Sequence, residues 1–221
     1  MLFLLTGNIQ TGKTRWLMRT LSALEESGVA ILGALTPGVW RHRSPQEIEQ
    51  EGGASSCGEY EKLGIDAMLL PQRERFFFAR PVNREHGEAE RDGNVAVDGQ
   101  PANQSRRANL SWDISEEALA AINAHFDALQ ASGPSDSGSR LLVIDELGRL
   151  ELCHDGGLSS ALRMVDAGPS GAYPHILAVV REDLIDRAHQ RFRAAWHDDM
   201  LDIAPDEDSV RRLLDALAPR A

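Results

Sequence analysis

The stretch "GNIQTGKT", residues 7–14, follows the pattern of Gly, four residues, Gly, Lys and then Ser or Thr. Its glycines let the backbone curl so that successive N–H groups converge, and a helix opening at this point adds its positive N-terminal end. An anion of several charges is what such a nest holds. In that chemistry the backbone of Gly7, Asn8, Ile9, Gln10, Thr11, Gly12, Lys13 and Thr14 cradles phosphates. Lys13 reaches the β and γ phosphates, and the Thr14 hydroxyl takes one position on Mg²⁺.

A second constellation is "LLVIDELGRLEL", residues 141–152, where an apolar run stops at two adjacent carboxylates. An acid at the end of a buried strand beside a phosphate loop holds Mg²⁺, usually through a water, and Asp145 has that position. Glu146 suits a different role, in which it accepts a proton from, or orients, a water that attacks the γ phosphorus. This favours hydrolysis over transfer to a bound alcohol. Charge on the γ phosphate in the transition state calls for a positive group beyond Lys13. Arg149, four residues past Asp145, is the first choice; Arg41, Arg73 and Arg181 follow, each read as structural or solvent-facing.

Positioning these groups requires a strand before the loop and a helix after it. Residues 2–5 form a short apolar run, and Leu17, Leu21 and Leu24 recur at helical spacing up to Gly28. "VAILGAL", residues 29–35, supplies a second strand ending at Thr36, Pro37 and Gly38. A strand, loop, helix, strand unit of this kind starts a parallel sheet with helices packed on it. From residue 41 to 64 the chain reads as polar and irregular. Residues 65–70 and 76–79 read as strands joined by a turn, with "FFF" at residues 76–78 packed on both sides. Residues 82–109 lack apolar content and period and read as a mobile insertion. Ser115 caps a helix whose stripe is Leu119, Ile122, Phe126 and Leu129. Residues 141–144 make a strand of the kind found inside a parallel sheet. Helices at 159–166, 183–196 and 207–217 and strands at 176–180 and 201–203 complete the pattern. Trp112, just before a helix, reads as packing in the core or at an interface, with cover for a nucleotide base as the alternative.

At its two motifs the sequence resembles the thermophilic and cancer-related nucleoside-triphosphatase family of phosphate-loop proteins. That family has the loop after its first strand and, after a later apolar strand, Asp, Glu, an aliphatic residue, Gly, a basic residue, an aliphatic residue and Glu. Here those places are Asp145, Glu146, Leu147, Gly148, Arg149, Leu150 and Glu151. The resemblance implies one α/β phosphate-loop NTPase domain spanning residues 1–221, a mostly parallel sheet flanked by helices with a Walker B motif of the Asp-Glu type. It also implies slow, Mg²⁺-dependent hydrolysis of ATP, GTP and other nucleoside triphosphates with weak base selectivity. The segment after the second strand departs from the family, which usually carries a Glu there; this chain has Gly38.

Composition removes several other classes. A net charge of −11 over 221 residues repels nucleic acid and anionic membrane surfaces, so neither is expected as a partner. Arg187, Arg191 and Arg193 lie among Asp183, Asp186, Asp198 and Asp199 and read as a solvated helix face. No run approaches the roughly 18 apolar residues of a membrane helix, and two cysteines without metal or redox spacing fit a cytoplasmic setting. The seven histidines show no metal-ligand spacing. Three classes stay open: a nucleoside triphosphatase, a small-molecule or nucleotide kinase with residues 66–115 as acceptor site and lid, and a nucleotide-dependent switch read by an unidentified protein partner.

Overall fold

A computed structural model describes residues 1–7, 12–44, 60–82, 104, 111–133 and 139–217. Among the described residues nine strands join in one sheet of order β6-β5-β4-β2-β7-β8-β1-β9, with β3 paired to β4. They are β1 (Leu2–Leu5), β2 (Ala30–Leu35), β3 (Gly38–His42), β4 (Tyr60–Leu70), β5 (Glu74–Pro81), β6 (Trp112–Ile114), β7 (Arg140–Leu147), β8 (His175–Val180) and β9 (Met200–Ile203). The strands β2, β7, β8, β1 and β9 run parallel, and β3 to β6 add an antiparallel half.

The parallel half is covered on both faces. Along β1, Leu2 and Leu4 enter one apolar cluster while Phe3 and Leu5 enter another, which is why the strand is a continuous apolar run and not an alternating one. On the first face lie α2 (Glu116–Ala131), α3 (Arg149–His154), α4 (Ser159–Asp166) and α5 (Ile185–Trp196). On the second lie α1 (Lys13–Glu26) and α6 (Glu207–Leu217). The expected stripe of α2 is buried at Leu119, Ile122, Phe126 and Leu129, and Ser115 caps it by accepting the Ala118 N–H at 3.2 Å. Gly33 sits in β2 at φ 114°, and a Cβ there would lie 2.0 Å from the Val143 carbonyl oxygen. Only glycine lets β2 and β7 come this close.

The expected strands at 2–5, 29–35, 141–144, 176–180 and 201–203 and the three later helices are present within a residue or two, except that β7 runs on to Leu147. A 3₁₀ turn, Glu182–Leu184, precedes α5. Other segments differ from expectation. Residues 38–42 are a strand, and β4 begins at Tyr60, well before the expected start at 65. Phe77 is 53% exposed, so the "FFF" strand is packed on one face only. Most of the insertion at 82–109 lies outside the described residues. Among the described residues no helix is long and apolar enough to cross a membrane.

Candidate functional site

The C-terminal ends of β1 and β7 lie on the carboxyl edge of the parallel strands, where open α/β sheets bind ligands. Of the loop, Gly7, Gly12, Lys13 and Thr14 lie among the described residues, and Asn8, Ile9, Gln10 and Thr11 lie outside them. Gly12 has φ 81° and stands immediately before α1, a left-handed turn that glycine makes without steric cost. The Trp16 N–H donates to the Gly12 carbonyl at 2.9 Å, so the helix starts directly after the loop. Lys13 reaches back to the end of β1, donating from Nζ to the Gly7 carbonyl at 2.8 Å.

Asp145 is 2% exposed. It is held from two sides. The Thr36 N–H donates to Asp145 Oδ2 at 3.0 Å and the Thr36 hydroxyl donates to the Asp145 carbonyl at 2.8 Å, while the Thr14 hydroxyl lies on the carboxylate's other side and acts to lower its pKa. Burial pushes this carboxyl up from 3.8 to about 6; the Thr36 N–H opposes the rise, and the neighbouring Glu146 charge adds to it. A carboxylate desolvated this strongly, with a loop hydroxyl on it, is suited to a cation.

That burial has a measurable cost in the free protein. For an acid whose folded pKa exceeds its unfolded value, the penalty is absent below about pH 4, grows as pH rises, and is complete above about 6. At about 1.4 kcal/mol per pH unit it reaches on the order of 3 kcal/mol at neutral pH. Asp145→Asn is therefore expected to raise the melting temperature at pH 7, in a chelator and without nucleotide, and to give no gain at pH 4. Scanning calorimetry at both pH values checks this, and a lower melting temperature at pH 7 would contradict it.

Glu146 points the other way. Pairing of β7 with β8 shifts register between Ile144 and Leu147, and inside that bulge Glu146 takes φ 117° and is exposed while Asp145 and Leu147 are buried. A non-glycine residue there costs on the order of 1–3 kcal/mol, so the surrounding structure must hold it in place. Glu151 does part of this. It is 5% exposed and accepts the Gly148 N–H at 2.8 Å and the Leu158 N–H at 2.9 Å, tying the start of α3 beside the bulge to the start of α4. Its carboxyl is raised, chiefly by burial. Glu151→Ala leaves both N–H groups without that partner, and a loss of about 2–4 kcal/mol in urea unfolding is expected. Unchanged stability would show that water replaces it fully.

Electrostatics tie the groups together. Burial lowers the Lys13 pKa; Glu146, Asp145 and Glu182 act to raise it, and Arg181 lowers it further. Lys13 therefore lies in the field of both acids at the end of β7. Arg149 is on the exposed side of α3, 3.3 Å from Asp183, which also takes Arg181 at 3.1 Å. Among the described residues no group of three or more His, Cys, Asp or Glu is placed to hold a metal. Sequence reasoning missed Thr36, read only as the end of a strand, and Lys62, whose segment read as irregular. Charges at Glu146 and Asp145 act on Lys62 as well.

No family model matches the sequence, and no curated protein matches it. Among solved structures, the chain is similar to the crystal structure of THEP1 from the hyperthermophile Aquifex aeolicus. The TM-score is 0.56 at 13% identity, covering 98% of this chain and 99% of that one. At that identity the likeness is one of fold: a mixed α/β fold whose central parallel strands carry helices on both faces.

Proposed function

We propose that this chain hydrolyses nucleoside triphosphates to the diphosphate and phosphate, slowly and with weak base selectivity, as the resemblance at its two motifs implies. The observation that carries this reading is the buried Asp145 carboxylate at the end of β7, which interacts electrostatically with both Lys13 and Thr14 at the head of α1. On this reading the head of α1 and the acid pair border one space. Thr14 and Asp145 are the residues that would hold Mg²⁺, which neutralises phosphate charge when bound. Lys13 binds the β and γ phosphates, and the loop backbone orients the chain of phosphates for in-line attack. Glu146, exposed and turned out of the sheet by the bulge, holds the attacking water and takes its proton. Its exposure suits this role, since water must reach it. The setting proposed is cytoplasmic.

A phosphate-release panel over nucleoside triphosphates and diphosphates, with Mg²⁺ or chelator, tests this. Release from several triphosphates with Mg²⁺ and no added acceptor is expected. Strict dependence on an acceptor alcohol would turn the reading to a kinase. A protein partner captured only with triphosphate bound would add a switch role.

A further inference from the structure

Lys62 approaches the same carboxylates as Lys13 from the opposite side. In the sheet order, β4 stands two strands from β7 on one flank and β1 stands two strands from it on the other. Because β4 runs antiparallel to β2 and Leu35 pairs with Met68, residues 60–67 extend past the end of β2, over the carboxyl edge where the loop and the acid pair lie. β3 pairs along this ledge, with Trp40 opposite Lys62, and Trp112 joins it through the pairing of β6 with Pro81.

The ledge shapes one side chain. The Lys62 ammonium is 4.6 Å from the centre of the Trp112 ring and 5.9 Å from that of Trp40, a half-buried cation between two indoles. A Cβ on Gly38 would lie 2.9 Å from Lys62 Cε and 2.7 Å from Trp40 Nε1, so the missing side chain leaves room for the lysine stem. Gly38 is two residues from Thr36, which grips Asp145. Burial lowers the Lys62 pKa, and Glu146 followed by Asp145 acts to raise it. Arg149 and Arg181 are both engaged by Asp183, whereas Lys62 makes no ion pair among the described residues. A desolvated cation held by aromatic walls has most to gain from a multiply charged anion.

We propose that Lys62 is the second cationic group of the nucleotide site, contacting the terminal phosphate of a bound nucleoside triphosphate from the antiparallel ledge, opposite Lys13. This rests on the triphosphatase reading. Trp40 and Trp112 fix the lysine's direction, and the contact strengthens as negative charge spreads over the phosphate oxygens in the transition state. The diphosphate product has no group at that place, so its binding does not involve Lys62.

The test uses the full chain with Mg²⁺. Lys62→Met keeps an unbranched apolar stem between the indoles, Lys62→Arg keeps a cation, and Lys13→Ala serves as reference. Phosphate release is measured together with the affinities of ADP and of an imido-linked ATP analogue. Expected for Lys62→Met are a fall in kcat of about 10²–10³-fold and the loss of about 10- to 100-fold of preference for the triphosphate analogue. ADP affinity should be unchanged, and Lys62→Arg should recover part of both losses. If Lys62→Met keeps both turnover and preference while the wild type hydrolyses ATP, the role of Lys62 is refuted and the triphosphatase reading stands. If the wild type binds the analogue without turnover, the preference decides alone. Failure of both Lys62 variants to bind ADP would overturn a specific contact with the terminal phosphate. A wild type that binds no nucleotide removes both readings.

Discussion

Lys13→Ala should abolish productive nucleotide binding. The lysine is held by the Gly7 carbonyl at 2.8 Å and stands in a field of three acids, Glu146, Asp145 and Glu182. Its removal takes away the attraction for the β and γ phosphates and leaves those acids to repel them. Truncating one partner of a buried charge contact costs on the order of 2–5 kcal/mol, so affinity should fall by about 10²–10³-fold or more. Titration with a fluorescent triphosphate measures it, with thermal unfolding as the control for folding. Affinity close to wild type would mean that the nucleotide does not lie on this loop.

Glu146→Gln separates binding from chemistry. Glutamine keeps the shape of the side chain and the strained backbone at φ 117° but cannot accept a proton as a carboxylate does. Triphosphate binding should persist, and should not weaken, because one negative charge near the phosphates is gone. Turnover should fall by about 10²–10⁴-fold, the usual worth of a general base. Phosphate release under single-turnover conditions checks this. Normal release from Glu146→Gln would take the water-directing role away from Glu146.

Both expectations rest on residues that the sequence displays openly, and the reason is physical. A phosphate nest needs glycines at fixed spacing, and a strand buried on both faces needs an unbroken apolar run, so residues 7–14 and 141–145 announce themselves. The elements that shape the rest of the cleft carry weaker signals. Strand β3 has three exposed residues and a register shift at Val39/Trp40, so no period of two survives along it. Strand β6 has three residues and α3 six, too short to build a pattern. The overhanging part of β4, from Tyr60 to Lys62, is polar because it projects past the core, and polarity there reads as loop. Lys62 is accordingly invisible in the sequence, since its direction comes from Trp40 and Trp112 on two other strands. Glu146 was legible as an acid but not as the exposed member of a bulge, because a φ of this sign is set by pairing of β7 with β8 and not by the residue itself. Gly38 appears in the sequence only as a departure; in the structure it is the space through which the Lys62 stem passes.

A crystal structure of the chain with Mg²⁺ and an imido-linked ATP analogue tests the central claim most directly. The expected result is one bound nucleotide whose β and γ phosphates lie along residues 7–14 and whose metal touches Thr14 and faces Asp145, with Glu146 beside the terminal phosphate. Phosphates bound elsewhere, with only solvent between Thr14, Asp145 and Glu146, would contradict it.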